Sequence, residues 1–461
     1  MAGPVITPLD TQPPVPGRSE RKKLLVISYH FPPVGGAGVQ RPVKLVKYLR
    51  QFGWDCTVLV AENPSVPVFD DSLLADIPKD TQIVKAKTWE PGYAIKQQIG
   101  GSKTQKRNKT LAALKAVGKK TVKSAATMLL QPDAQILWMP EAFKAGKRIL
   151  DEQPFDAILA TAPPYSNLLL GSRLKHYSNL PLILDFRDEW DLSSRYLENS
   201  QRDSLSQIVQ RQMQKHVLQV ADGILATTVA SRNRIAEKVQ QVGGSAKSLC
   251  IYNGFDPDDF KTFRDLKSPP DKKSNKFRLV YTGTLWNLTS VEPVVRAIEA
   301  IHLSKPELLS NFEFVCLGRK TPEQLEILKR LNQTQCSLKL EEYCEHKKAL
   351  EVMDSADALC LLLSDVAGAE RVAPAKLFEY LAIQKEILAV LPDGETADIV
   401  QRFYPQNHFL PSGVENIAQW LEARLTESTS PCTVQTSDIH EFSREHQAGQ
   451  LATFLDQFVS R

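Results

Sequence analysis

Two successive series of buried strands, each alternating with helices, constrain the fold of this chain more than any other feature of its sequence. The first series begins with the apolar run KLLVISY (residues 23–29), which a Gly-rich loop separates from a helical stretch. The next strand is WDCTVLVA (54–61), and further strands are predicted at 156–162, 180–186 and 221–228. Continuous apolar strands that alternate with helices are typical of an open parallel sheet covered on both faces.

A second series follows the charged, Pro-containing stretch SPPDKKSNK (268–276), whose composition is typical of a domain boundary. Its strands are predicted at residues 277–285, 312–318, 356–364 and 386–392. A chain of 461 residues also exceeds what one hydrophobic core normally supports. We therefore predict an α/β protein with two Rossmann-like, doubly wound domains that face each other across a cleft.

The predicted domain boundaries follow from these two series. They comprise a disordered N-terminal tail (1–21), a first domain (22–254), a linker (255–275), a second domain (276–438) and a C-terminal helix (439–461) that packs back on the first domain.

Composition narrows the class of protein. Hydrophobic residues make up 42% of the chain and charged residues 24%, as in folded soluble proteins. A net charge of +4 gives no reason to expect nucleic acid as a partner. We find neither a signal peptide nor an apolar run long enough to span a membrane. The seven cysteines are scattered, which favours reduced thiols and a cytoplasmic location.

The loop from Pro32 to Gly38 is the first candidate binding element. Gly35, Gly36 and Gly38 allow a ligand close to the backbone, and the start of the following helix offers N–H groups to an anion. It is not a dinucleotide fingerprint, because Arg41 occupies the third glycine position of GxGxxG. We predict a phosphate or acceptor contact here; a tight strand–helix turn is the alternative.

The segment LDFRDEW (184–190) concentrates charge at the end of a predicted strand. Asp185, Arg187 and Asp188 therefore lie where ligands bind in folds of this type. The alternative is an arginine–carboxylate pair that only holds the loop. We predict no metal, since one acidic cluster without further ligands does not make a metal site.

The segment ERVAPAKLFEY (370–380) predicts a helix that begins near Pro374. Lys376 and Glu379 lie three residues apart, on one face of that helix. The lysine can bind a phosphate as a point charge, and the carboxylate can accept hydrogen bonds from ribose hydroxyls. The alternative is a surface ion pair between the two residues.

A basic segment extends from Lys96 to Lys123, with nine Lys or Arg residues and no acid between Glu90 and Asp133. Apolar side chains recur within it at helical spacing, with lysines on the other side. We predict that Lys103 to Leu129 contacts an anionic membrane surface peripherally. A helix docked on its own domain is the alternative.

Four segments of the chain, taken in order, resemble motifs of the GT-B glycosyltransferases of the large retaining family numbered four. The similar segments are PPVGGAGVQRPVKLVKYLRQFGWDCTVL (32–59), NGFD (253–256), DSADALCLLL (354–363) and PAKLFEYLA (374–382). The resemblance extends from about Lys22 to Leu425.

This resemblance implies transfer of a sugar, with retention, from a nucleotide diphosphate donor to a glycan, lipid-linked or small-molecule acceptor. The cellular role would be biosynthesis of polysaccharide or cell-envelope glycan. It implies a donor site on the second domain and an acceptor site on the first. We expect no cofactor. With the basic segment, we expect a cytoplasmic enzyme that touches the inner face of the membrane.

The resemblance also implies roles for individual residues. Glu379 matches the second Glu of the family's Glu-x7-Glu and would hold the ribose, whereas Arg371 replaces the first Glu. The phosphate-binding Arg and Lys of the family would fall near Thr284 and Thr289. Lys376 and Arg371 are the expected substitutes. The implied donor-binding set is Lys376, Glu379, Arg371, Gly283 and Thr284, and the acceptor-side candidates are Asp185, Arg187 and Asp188.

No catalytic residue is assigned, because the family's acceptor-side His has no match in TAPPYS (161–166). Two alternatives therefore stay open. A nucleotide-sugar epimerase would need an acid and a base near the anomeric carbon, which the sequence does not identify. A non-catalytic nucleotide-sugar-binding protein would agree with the missing phosphate-binding residues.

Overall fold

The computed structural model describes residues 21–90, 92, 130–192, 204–265, 276–426 and 436–459. These residues form two β-sheets, one of seven strands and one of six, in which all strand pairs are parallel. The predicted α/β class with two doubly wound sheets is confirmed.

The first half of the chain alternates strands and helices in the predicted manner. Its strands are β1 (Lys22–Ile27), β2 (Trp54–Ala61), β3 (Gln82–Ala86), β4 (Ala157–Ala162), β5 (Leu182–Phe186), β6 (Gly223–Ala226) and β7 (Lys247–Cys250). Its helices are α1 (Ala37–Leu49), α2 (Met139–Glu152), α3 (Ser166–Ser178), α4 (Ser204–Val220), α5 (Val229–Gln241) and α6 (Pro257–Asp265). Helix α6 lies within the predicted linker.

The second half repeats this architecture. Its strands are β8 (Phe277–Thr282), β9 (Phe312–Leu317), β10 (Ser337–Glu341), β11 (Ala358–Leu362), β12 (Glu386–Val390) and β13 (His408–Phe409). Its helices are α7 (Glu292–Ser304), α8 (Pro322–Lys329), α9 (His346–Asp354), α10 (Ala375–Ile383), α11 (Glu395–Phe403), α12 (Val414–Thr426) and α13 (Arg444–Leu455).

Each sheet is buried on both faces, because successive side chains of a strand point to opposite sides. In β1, Leu24 and Val26 pack into the core beside α1 and α13. Leu25 and Ile27 pack into the core beneath α2 and α3. The second sheet is covered in the same way by two further cores. This two-sided burial explains why the central strands are continuous apolar runs in the sequence.

The strand order places one topological switch point in each sheet. In the first sheet the order is β3-β2-β1-β4-β5-β6-β7. Successive strands are therefore added first on one side of β1 and then, from β4 onward, on the other side. The second sheet, β10-β9-β8-β11-β12-β13, changes sides in the same way between β8 and β11. At such points the loops at the carboxyl ends of the strands diverge and leave a crevice for ligands. The Gly-rich loop follows β1, and Gly283 follows β8.

A buried ion network ties α1 to the segment that leaves the first sheet. Lys44 Nζ lies 2.8 Å from Asp76, 2.6 Å from Asp256 and 2.9 Å from Asp259. Burial alone would raise the pKa of Asp256, but Lys44 and Lys47 outweigh it and hold that pKa below its ordinary value. These three carboxylates lie close enough together to suit a metal ion, but the Lys44 ammonium already contacts all three.

The last helix, α13, packs against α1 on one face of the first sheet. Its residue Gln447 donates a hydrogen bond of 3.1 Å to the carbonyl of Asn253, within the NGFD segment. The predicted domain boundaries themselves stay a prediction.

Four strands were not predicted: β3, β7, β10 and β13. All four are the edge strands of the two sheets. An edge strand is partly solvated, so it lacks the continuous apolar run that identifies a central strand. Sequence patterning therefore finds the middle of each sheet and misses its borders.

Three further predictions concern the basic segment and the N-terminal tail, a membrane-spanning helix, and the cysteines. The basic segment Lys103 to Leu129 and nearly all of the N-terminal tail lie outside the described residues. No helix within the described ranges is both long and apolar enough to cross a membrane. The six cysteines in these ranges are free thiols.

Candidate functional site

The carboxyl ends of the two sheets meet at a cleft of about 190 Å³. Gly38, Arg187 and Asp188 line it from the first half of the chain, and Arg371 and Pro374 from the second. The cleft thus contains residues from the Gly-rich loop, the LDFRDEW segment and the start of α10. The sequence predicted ligand contacts for all three segments.

Lys376 lies at the switch point of the second sheet. Its Nζ donates a hydrogen bond of 2.7 Å to the hydroxyl of Tyr281, in β8, and sits 3.9 Å from the centroid of that ring. Desolvation by burial lowers the pKa of Lys376 to about 7. Tyr281 in turn donates to the carbonyl of Thr284. The structure therefore brings Lys376 together with the loop that leaves β8.

Gly283 makes this arrangement possible. Its φ is 115°, a backbone conformation that residues with a side chain rarely adopt. A Cβ atom at this position would lie 3.0 Å from Lys376 Nζ. Gly283 and Thr284 are both exposed, so a ligand can approach their backbone from solvent. A lysine beside exposed backbone at a switch point is suited to a phosphate group.

Tyr380 fixes helix α10 over the end of the second sheet. Its hydroxyl accepts the N–H of Thr282 at 3.1 Å and donates to the carbonyl of Cys360 at 3.3 Å. Tyr380 is fully buried. This contact joins α10 to β8 and β11, the two strands that flank the switch point, and so sets the position of Lys376.

Glu379, one helical turn after Lys376, is held by His346. The distance from Glu379 Oε1 to His346 Nε2 is 2.8 Å. Burial lowers the pKa of His346, but the carboxylates of Glu379 and Asp259 outweigh it and raise the pKa above its ordinary value. The alternative of a surface ion pair between Lys376 and Glu379 is wrong, since the two described side chains bind Tyr281 and His346 instead.

The guanidinium of Arg371 forms ion pairs with two carboxylates. Its Nε lies 2.7 Å from Oε1 of Glu189, across the cleft, and its Nη1 binds Glu370. The hydrogen bond to Glu189 is the largest cause of the raised pKa of Arg371. In this arrangement the guanidinium links the two halves of the chain. A phosphate would have to compete with both carboxylates for it.

The amides of the Gly-rich loop are also partly engaged. Gly35 donates its N–H to the carbonyl of Val68 at 3.1 Å. Gly36 donates to the hydroxyl of Tyr343, from the second half of the chain, at 3.1 Å. No side chain caps the start of α1, and the carbonyl of Gly38 accepts a hydrogen bond from Arg187. The loop therefore serves as a tight turn and also contacts the opposite side of the cleft.

The three candidate residues of the LDFRDEW segment, Asp185, Arg187 and Asp188, lie in different environments. Asp185 is buried and pairs with Arg41, whose Nη2 lies 2.8 Å from Oδ1. Arg187 donates to the backbone carbonyls of Ala162, Pro163 and Gly38. Asp188 is exposed and lines the cleft. An arginine–carboxylate pair does hold this segment, but its arginine is Arg41 in α1.

Sequence reasoning missed three residues of this site. Tyr281 is the next-to-last residue of the apolar strand β8, so nothing marked its hydroxyl. Glu189 lies in the LDFRDEW segment, but its partner Arg371 is 182 positions away. His346 is a single histidine that begins a short helix, and no local signal links it to Glu379.

No protein-family model matches this chain, and no curated protein matches it. Solved structures do match over nearly its whole length. Anabaena HepE, solved in complex with UDP and glucose, is 15% identical with a TM-score of 0.56, covering 95% of this chain and 100% of HepE. Sucrose-phosphate synthase from Thermosynechococcus elongatus is 14% identical with a TM-score of 0.61, covering 95% and 99%.

The trehalose-6-phosphate synthase OtsA is also similar. It is 13% identical with a TM-score of 0.63, and the match covers 95% of this chain and 100% of OtsA. At this level of identity the similarity defines the fold. Two parallel, doubly wound sheets that meet at a cleft, in the arrangement of these structures, mean that the chain has the GT-B fold.

Proposed function

We propose that this protein is a glycosyltransferase that moves a sugar from a nucleotide diphosphate donor to an acceptor bound in the same cleft. The observation that carries the proposal is the position of Lys376, which Tyr281 holds at the switch point of the second sheet. The GT-B fold supports it, because HepE has this fold and was solved with UDP. The family-four resemblance adds retention of configuration to the proposal.

In the proposed complex the donor lies on the second domain. Its diphosphate binds Lys376 and the backbone N–H of Thr284. The N–H of Gly283 binds the carbonyl of Leu317, so Gly283 contributes the open space beside the lysine. Glu379 accepts a hydrogen bond from the ribose. Arg371 joins the phosphates only after it has released Glu189, so it contributes less than Lys376.

The proposed acceptor site lies on the first domain, between the Gly-rich loop and Asp188. In the reaction the bond between the anomeric carbon and the phosphate oxygen breaks, and the acceptor oxygen bonds to the same face of that carbon. The acceptor proton passes to the departing diphosphate. Lys376 and the N-terminus of α1 stabilise the negative charge of the leaving group, so catalysis consists mainly of placement and charge stabilisation.

Incubation with a panel of nucleotide sugars tests this proposal. We expect free nucleoside diphosphate to appear with at least one donor, and faster when a glycan or lipid-linked acceptor is present. Loss of that product in Lys376→Ala, with Lys144→Ala unaffected, would tie the reaction to the site. Lys144 is a suitable control because it forms only an exposed ion pair with Glu141.

A nucleotide-sugar-binding protein without transferase activity is the second candidate. It is favoured by the commitment of Arg371 to Glu189 and of Arg187 to backbone carbonyls, which leaves few free cations in the cleft. Calorimetric binding of a nucleotide sugar without release of diphosphate, for every donor and acceptor in the panel, would establish this candidate instead.

We further propose a role in polysaccharide or cell-envelope glycan synthesis at the cytoplasmic face of a membrane. The support is the basic segment Lys103 to Leu129, whose charge suits anionic lipid. Sedimentation with anionic vesicles at low and high salt is the test. Binding should fall at high salt, and also when Lys115, Lys119, Lys120 and Lys123 are replaced with Gln.

A further inference from the structure

The loop between β10 and α9 reaches from the second domain across the cleft to the first. Tyr343, in this loop, accepts the N–H of Gly36 at 3.1 Å. His346, at the start of α9, donates its backbone N–H to Oδ2 of Asp70 at 3.1 Å. The loop is therefore anchored on the first domain at two points, both close to the Gly-rich loop.

The side chain of His346 points back to the second domain and lies between two carboxylates. Nε2 is 2.8 Å from Oε1 of Glu379, and Nδ1 is 3.8 Å from Oδ2 of Asp259. Asp259 also lies 2.9 Å from Lys44 Nζ, a contact that it shares with Asp76 and Asp256. His346 and Glu379 remain 17% and 21% exposed, which means that their contact borders the solvent.

Only one oxygen of Glu379 is used in this contact. Within the described residues Oε1 binds His346, and no hydrogen bond involves Oε2. A glutamate side chain with no partner would sample several rotamers, and ordering it on ligand binding would cost conformational entropy. Because His346 holds Oε1, the free oxygen keeps one direction before any ligand arrives.

We infer that His346 is a positioning residue that presents Oε2 of Glu379 to the ribose hydroxyls of the donor. This inference rests on the proposed function. Because His346 is itself anchored to Asp70, recognition of the ribose is tied to the contact between the two domains. The ribose is then bound tightly only when the contact between His346 and Asp70 holds the cleft closed.

The test compares ribonucleotides with analogues that lack both ribose hydroxyls. Uridine and guanosine diphosphates and their 2′,3′-dideoxy forms are titrated calorimetrically into the wild type, His346→Gln and His346→Met. Gln and Met have similar size, but only Gln can donate a hydrogen bond to Glu379. Lys376→Ala serves as a control that weakens phosphate binding without touching the ribose.

We expect the wild type to bind the ribonucleotide at least tenfold more tightly than its dideoxy form, as a charge-assisted hydrogen bond requires. His346→Gln should keep most of this ratio, and His346→Met should reduce it to about twofold. Adding Glu379→Gln to His346→Met should change the ratio no further. In Lys376→Ala both ligands should weaken together, so the ratio should persist.

A wild-type ratio that persists in a folded His346→Met variant would overturn the inference and leave the proposed function standing. So would a ratio lost equally in His346→Gln and His346→Met, because that result would indicate a general disturbance of the loop. Absence of any nucleotide binding by the wild type would instead overturn the proposed function, and the inference with it.

Discussion

Arg371 and Glu189 form an ion pair across the cleft, with 2.7 Å between Nε and Oε1, although they lie in different halves of the chain. Glu189 is only 4% exposed and also accepts a hydrogen bond from Ser231. The backbone carbonyl of Arg371 accepts a further hydrogen bond from Thr228. A residue expected to bind donor phosphate therefore links the two halves of the chain in this conformation.

The Arg371–Glu189 pair predicts that removing the arginine alone costs more stability than removing both charges. Arg371→Met should lower the free energy of unfolding by about 3 kcal/mol, because it leaves the buried Glu189 carboxylate without its guanidinium. Adding Glu189→Gln should recover at least about 1 kcal/mol of that loss, since the unpaired charge is then removed. Urea unfolding of both variants measures the effect.

Arg148→Met is the control for that experiment. Its ion pair with Glu152 is exposed, so the change should cost less than about 0.5 kcal/mol. A double variant that is less stable than Arg371→Met alone would contradict the interpretation that this ion pair stabilises the contact between the two halves of the chain.

Replacement with Asn should affect stability at Asp185 and the transfer rate at Asp188. Asp185→Asn leaves Arg41 buried without its carboxylate, and should destabilise the protein by about 3 kcal/mol. Asp188→Asn alters an exposed carboxylate in the cleft, so it should slow sugar transfer while the unfolding midpoint stays unchanged. Unfolding curves and transfer rates for the two variants decide the matter. Equal loss of stability in both would remove Asp188 from the acceptor site.

The affinity for nucleoside diphosphate should depend on pH through Lys376. Desolvation lowers the pKa of Lys376 to about 7 in the free protein, and a bound diphosphate raises it again by favouring the charged form. Above pH 7 binding therefore requires uptake of a proton, and affinity should fall by up to about tenfold per pH unit as pH rises. The phosphate itself is already ionised in this range, since its last pKa is about 6.

Titrations at pH 7, 8 and 9 measure this dependence. Lys376→Arg should make the affinity nearly independent of pH, because an arginine stays charged throughout. Lys376→Met should bind weakly and with no such slope. The same slope in the wild type and Lys376→Met would assign the proton uptake to another group.

The central part of the fold could be predicted from the sequence because its physical cause is local. A strand covered on both faces must be apolar throughout, and the nine strands that show this pattern all exist. The four edge strands escaped because partial solvation permits residues such as Lys85 and Lys339 within them. Position in the sheet, which no local pattern encodes, decides which strands can be recognised.

The candidate site could be predicted only in part, because its contacts join distant residues. Lys376 and Gly283 were identified, since each lies in a recognisable segment. The partners of the other candidates were not: Arg41 and Asp185 are 144 positions apart, and His346 and Asp70 are 276 apart. These pairings depend on how the two halves of the chain meet, so the sequence suggested residue types without their partners.

The measurement that tests the central claim most directly is calorimetric titration of uridine and guanosine diphosphates into the wild type, Lys376→Ala and Glu379→Gln. A charge-assisted hydrogen bond contributes about 1.5–3 kcal/mol, so Lys376→Ala should weaken binding roughly ten- to a hundredfold. Glu379→Gln should cost less, because an amide can still accept a hydrogen bond from one ribose hydroxyl. Equal affinity in all three proteins would contradict the account, because the donor would then bind elsewhere than on helix α10.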